Sequence, residues 1–187
     1  MHRIRLLCAA PLLAAVALTA ACASGGPATD RPSSSSAAVP VSPSSPGGPS
    51  AASLLTCSAD ATGDIRSVLG TDTTQPPRAT WSDHLYSCPY HYGPATMLVS
   101  VKELPDAAAV TAYFEGARKA ADRATVRQGL GEQAFTVADG SVYVRKDLTV
   151  LHIDVSALPA RFGTPSRTPT QVALTVATTI LICWKEA

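Results

Sequence analysis

Charged and aromatic side chains are scarce in this sequence, and so are the spacings that catalysis favours. Only 16% of the 187 residues are charged and 5% are aromatic, with 15 basic residues against 14 acidic ones. A chain this close to neutrality lacks the basic footprint of a nucleic-acid binder, and nothing in it implies attraction to an acidic lipid surface. HExxH, CxxC and close histidine pairs are missing, which removes the common metal-binding patterns. A Gly-x-Ser-x-Gly elbow is missing too, so no recognisable nucleophile for acyl transfer is present. Long apolar runs are equally lacking. The purely apolar stretch near the N-terminus, residues 6–18, is shorter than the ~20 residues that a spanning helix needs.

What is present near the N-terminus is directional. Arg3 and Arg5 precede an uncharged stretch rich in Leu, Ala and Val, and the next charged residue is Asp30. This is the pattern of a removable export signal, expected to cover residues 1–21. Leu18-Thr19-Ala20-Ala21-Cys22 places a cysteine directly after small residues. The segment resembles the lipobox of bacterial lipoproteins, which implies cleavage before Cys22, acylation of that cysteine, and residence on the extracytoplasmic face of the cell membrane. Two or three acyl chains, each buried methylene being worth ~0.8 kcal/mol, make such anchoring effectively permanent. The alternative is an ordinary Ala-x-Ala signal with soluble secretion, Cys22 then being incidental. Loss of Arg3 and Arg5 with the signal leaves 13 of the 15 basic residues against 14 acidic ones, a formal charge of −1.

Residues 23–53 hold 6 Pro, 10 Ser and 4 Gly among 31 positions, with Val39 and Val41 as the only large apolar side chains. Such a segment buries too little surface to fold, and residues 22–53 are expected to form a disordered tether. From 54 to 187 the composition becomes that of one globular domain.

Periodicity within that domain predicts an α+β fold: a single antiparallel sheet with about three helices packed on it. Residues 64–70 read as a short helix closed by Gly70, and residues 81–92 and 97–101 as two strands turning at Gly93-Pro94. Pro105 and Asp106 open an amphipathic helix to about Ala121, with Val110, Phe114 and Ala117 on one face. Residues 125–127 and 133–137 read as two short strands or one broken by a bulge, and further strands are expected at 141–145 and 148–156 after a turn at Asp139-Gly140. Thr168-Pro169-Thr170-Gln171 is a capping box; it favours helix for the last apolar segment although Val172, Val176, Thr178, Thr179 and Ile180 favour strand.

Three cysteines fall in the domain, and in an oxidising compartment two of them are expected to pair. A bond from Cys57 to Cys88 would staple the first helix to the sheet, whereas Cys57 to Cys183 would join the ends of the domain. The cysteine before a helix ending in Val68-Leu69-Gly70, the strand segment Ser87-Cys88-Pro89-Tyr90, and Gly129-Leu130-Gly131-Glu132-Gln133-Ala134 before a hairpin resemble a family of exported actinobacterial lipoproteins of unknown function. That family is distantly similar to the extracellular sensor domains of mycobacterial Ser/Thr kinases. The resemblance covers most of the domain and implies a helix-covered antiparallel sheet with Cys57 and Cys88 bonded.

For a ligand site the weak candidates are Tyr86, Tyr90, Tyr92 and His84, which line up on one strand face about Cys88. If Cys88 bonds toward the helix, that face points inward and the stripe is mainly packing. His84 and His91 face opposite sides of a continuous strand, a poor arrangement for a metal. His152 and Asp154 share a strand face as an acid–base pair would, although such alternation is usually a solvated side. Gly129-Leu130-Gly131 is too short for a phosphate loop. The expected function is therefore a non-enzymatic, membrane-tethered binding or sensing domain, without cofactor or metal, whose partner is a lipid, a glycan or an envelope protein. The alternatives are a hydrolase of unrecognised type and an accessory subunit of an envelope complex.

Overall fold

The structure, a computed structural model, describes residues 47–184; the expected export signal, Cys22 and most of the expected tether lie outside the described residues. Among the described residues four helices and seven strands follow one another as α1 (Ala51–Leu55), α2 (Ala59–Leu69), β1 (Thr80–Ser82), β2 (Leu85–Tyr92), β3 (Ala95–Glu103), α3 (Ala107–Ala120), β4 (Thr125–Arg127), β5 (Gln133–Thr136), β6 (Val142–Lys146), β7 (Thr149–Asp154) and α4 (Pro169–Cys183). The strands form one antiparallel sheet in the order β1-β2-β3-β7-β6-β5-β4. Two meanders thus meet at its centre. The first runs inward from β1 to β3; α3 then carries the chain to the opposite edge, and the second returns from β4 to β7 alongside β3.

Strand alternation sorts the side chains between two cores. On one face Cys88, Tyr90, Val99, Val101, Val142, Val144, Leu151 and Ile153 pack with Ile65 and Leu69 of α2 and with Val172, Val176 and Ile180 of α4. On the other, Val110 and Phe114 of α3 pack on Phe135 and Val150. The last segment is helical because its cap and its buried face both favour helix. Thr168 and Gln171 form the reciprocal capping box with Pro169 in the first turn, and Thr178 and Thr179 turn their hydroxyls back to the carbonyls of Leu174 and Thr175. Six side chains of α4 are buried, which offsets the modest strand preference of its β-branched residues.

Three details depart from the sequence expectations. Residues 81–92 do not form a single strand, because Asp83 and His84 take φ values of 48° and 54° and fold the chain back as a tight hairpin between β1 and β2. Asp106 is the cap of α3 and accepts the amide of Ala109 at 2.7 Å, so Pro105 lies before the helix. Helical structure also begins ahead of Leu54, in α1. Ser50 caps α1, its amide donates to Glu103 at 2.8 Å, and Ser53, fully buried, donates its hydroxyl to the same carboxylate. The composition of this stretch concealed a polar clamp that needs serines.

Cys57 and Cys88 form a disulfide, with Cα atoms 5.7 Å apart. It fixes the start of α2 against β2. Cys183 stays outside that bond, its Sγ 3.7 Å from Asp64 Oδ2.

Candidate functional site

The tyrosine stripe divides once the disulfide has set β2 beneath α2. Tyr86, Cys88 and Tyr90 are buried. Tyr90 lies in the same core as Ile65 and Leu69 and donates its hydroxyl to the Thr56 carbonyl at 2.7 Å; burial pushes its pKa up to about 12. His84 is not part of the stripe: it sits in the positive-φ turn before β2, edge-on to Trp81. Tyr92, the last residue of β2, is the exception. Its ring is half-buried and meets Phe162 edge-on at 4.9 Å, and its hydroxyl is buried with no hydrogen-bond partner among the described residues. Burial raises its pKa strongly, so the phenol stays neutral and is a donor as well as an acceptor.

Tyr92 closes one end of a polar cleft built by a helix end. Gly70 ends α2 with φ 59°, and a Cβ there would come within 2.3 Å of the Thr164 carbonyl oxygen, so only glycine makes this turn without displacement. The chain then runs back beside the helix through residues 71–73. The Thr74 amide pins the loop to β2 by donating to the His91 carbonyl at 2.8 Å, one residue before Tyr92.

Two open grooves of about 490 and 270 Å³ lie between α2 and this loop, and both are lined by Gly63, Arg66, Thr71 and Asp72. The smaller extends to Thr62 and Tyr92. Arg66 Nε meets Asp72 Oδ1 at 2.6 Å, with both side chains largely exposed. Gly63 costs the helix about 1 kcal/mol relative to alanine, yet a Cβ built on it meets nothing within 4 Å. Local packing therefore does not demand the glycine; its absent side chain leaves the groove open.

The other candidates resolve into structural roles. His152 stacks on Tyr143 with ring centroids 4.0 Å apart, and burial lowers its pKa against the opposing pull of Asp154 and Asp139. Asp154 Oδ1 accepts the amide and hydroxyl of Ser156 at 2.9 and 2.7 Å. Burial alone would raise this carboxyl, but those hydrogen bonds outweigh it and hold it below its usual range. It closes the turn after β7, and among the described residues no hydrogen bond joins it to His152. Gly131, in the glycine motif, presses the chain onto β6, and the next amide donates to the Arg145 carbonyl at 2.9 Å. Beside it an open groove of about 470 Å³ has Leu130, Leu181 and Ile182 for its floor, with the Lys146–Asp147 ion pair at its rim.

Of the sequence candidates, only Tyr92 reaches the cleft. Arg66, Asp72 and Thr62 were not singled out, since each reads as an ordinary polar residue of a helix or loop; the left-handed cap at Gly70 was the one local sign that the chain doubles back. Among the described residues no three His, Cys, Asp or Glu side chains gather as metal ligands, and no helix is long and apolar enough to cross a membrane. No family model, curated protein or solved structure matches this chain.

Proposed function

We propose that this protein is a lipid-anchored lipoprotein of the cell envelope whose folded domain binds a small polar ligand without transforming it. The observation that carries the binding reading is the cleft at Tyr92: a neutral phenolic hydroxyl, buried and unpaired among the described residues, at the end of a groove with a cation, an anion and threonine hydroxyls along it. A buried donor without a partner costs the domain free energy that a bound group would return. At about 270 Å³ the groove lies just below the ~300–1,000 Å³ of drug-sized pockets, so it suits only a compact molecule.

The anchor reading rests on the Leu18-Thr19-Ala20-Ala21-Cys22 segment and on the Ser- and Pro-rich tether that follows. A non-enzymatic role is supported by what the ionisable groups already do: His152 stacks, Asp154 closes a turn, and Glu103 clamps the start of the domain. The apolar groove beside Leu181 favours a second reading, an accessory subunit that docks on an envelope protein through the end of α4.

Two measurements test the proposal. Labelled palmitate should enter the wild-type chain in its host and fail to enter Cys22→Ala; incorporation that persists in the variant refutes the anchor. Native mass spectrometry of the full chain purified from its host in mild detergent should release a small polar molecule. Copurification of a stoichiometric protein instead, lost on Ile182→Glu, whose side chain is exposed beside the groove, would favour the accessory role.

A further inference from the structure

We infer that the cleft between α2 and the 71–73 loop takes a small zwitterion, of the class of a free amino acid, with its carboxylate on Arg66 and its ammonium on Asp72. This rests on the small-ligand reading above and names the ligand's chemistry.

The two charges that line the cleft are a cation and an anion already in contact, Arg66 Nε and Asp72 Oδ1 at 2.6 Å. A purely anionic ligand that engaged Arg66 would face Asp72, and a purely cationic one on Asp72 would face Arg66. A molecule bearing both charges replaces the ion pair with two new ones and leaves neither partner unmatched. Opening the pair costs little, because an exposed ion pair holds itself together weakly. The planar guanidinium is suited to a carboxylate, which it grips through two parallel N–H donors.

The uncharged groups fit the same ligand. Tyr92 keeps its proton and its buried hydroxyl has no partner among the described residues, so a ligand that parts the ion pair and reaches it would meet a donor for a carboxylate oxygen. Thr62 spends its own proton on the Ser58 carbonyl at 2.8 Å and also lies within hydrogen-bonding reach of Tyr90, so it contributes a lone pair to the groove wall and no donor. Gly63, with nothing within 4 Å of its missing Cβ, leaves room beside these groups. The smaller groove, about 270 Å³, admits a compact molecule in preference to an oligomer.

The test uses the full lipidated chain in detergent micelles, freed of small molecules, with glycine, alanine and serine as probes and acetate and methylammonium as single-charge controls. Calorimetric titration should show saturable binding of at least one amino acid, with each control weaker by at least about tenfold. Arg66→Gln and Asp72→Asn should each weaken the amino acid by about tenfold or more, Tyr92→Phe by about tenfold, and Gly63→Leu, which fills the groove, should abolish binding. Circular dichroism identifies any variant that has not folded, and the remaining variants then decide. No saturation by any of the three amino acids at about 10 mM overturns the inference, as does acetate binding as tightly as glycine, or binding indifferent to Tyr92→Phe. If acetate or another copurified molecule binds and is lost in Gly63→Leu, the zwitterion is refuted while the small-ligand reading stands. If nothing binds and native mass spectrometry finds no ligand, both fall.

Discussion

Removing one oxygen atom from Tyr92 should stabilise the ligand-free domain, whereas the same change two residues earlier should destabilise it. The Tyr92 hydroxyl is buried and has no hydrogen-bond partner among the described residues. Such a group carries a desolvation cost of about 1–3 kcal/mol that phenylalanine does not incur. The ring contact with Phe162 at 4.9 Å survives the substitution. Tyr92→Phe should therefore gain about 1–2 kcal/mol and, for a domain of this size, about 3–8 °C in Tm. The Tyr90 hydroxyl, by contrast, donates to the Thr56 carbonyl at 2.7 Å, in a fully buried residue. Tyr90→Phe loses that bond and strands the carbonyl, costing about 1–3 kcal/mol. Urea unfolding of both variants, followed by far-UV circular dichroism after exhaustive dialysis, measures the difference; unchanged m values would show that only stability moved. A loss of about 1 kcal/mol or more in Tyr92→Phe would show that the hydroxyl already has a partner, and the main support for the binding cleft would disappear.

Other parts of the fold yield further predictions. The Cys57–Cys88 bond spans a sequence separation of 31 residues. Replacing both cysteines by serine should cost about 3–4 kcal/mol, read as a lower urea midpoint. Gly131 has φ 60°, and a Cβ on it would meet Val144 Cγ1 at 2.5 Å and the Arg145 carbonyl oxygen at 2.6 Å. Gly131→Ala should lose about 2 kcal/mol or more and broaden amide NMR signals along β6. His152 is held below its usual pKa of 6.5 by burial, so the unfolded chain takes up its proton first as pH falls. Its contribution to stability is intact above pH 6.5 and declines below it. His152→Gln should therefore flatten the fall in stability just below pH 6.5 by up to one proton's uptake; an unchanged slope would place the histidine in solvent.

The α+β class, the antiparallel sheet and the amphipathic helices were legible in the sequence because each depends on neighbours along the chain. Thr168 and Gln171 close their own capping box, Gly70 ends its own helix, and apolar alternation marks β3 and β7 wherever they pair. The hairpin at Asp83-His84 was not legible, since a non-glycine pair gives little local sign of positive φ. Nor was the clamp of Ser50 and Ser53 on Glu103, whose partners lie 50 or more positions apart and hide in a stretch of disordered composition.

The candidate site divides along the same line. Tyr92 was visible as one tyrosine of a stripe, but its distinction from Tyr86 and Tyr90 arises only at the end of β2, where it meets Phe162 and the groove beside α2. Arg66 and Asp72 came together because a left-handed glycine reversed the chain and the His91 carbonyl held the loop in place. From the sequence alone came the signal, the Cys22 lipobox and the tether as expectations, along with the periodicities of the elements, because covalent order and local pattern suffice for those. Tertiary structure decided which polar groups are buried, which are paired and which are left facing a cleft, because burial and pairing depend on residues brought together from distant parts of the chain.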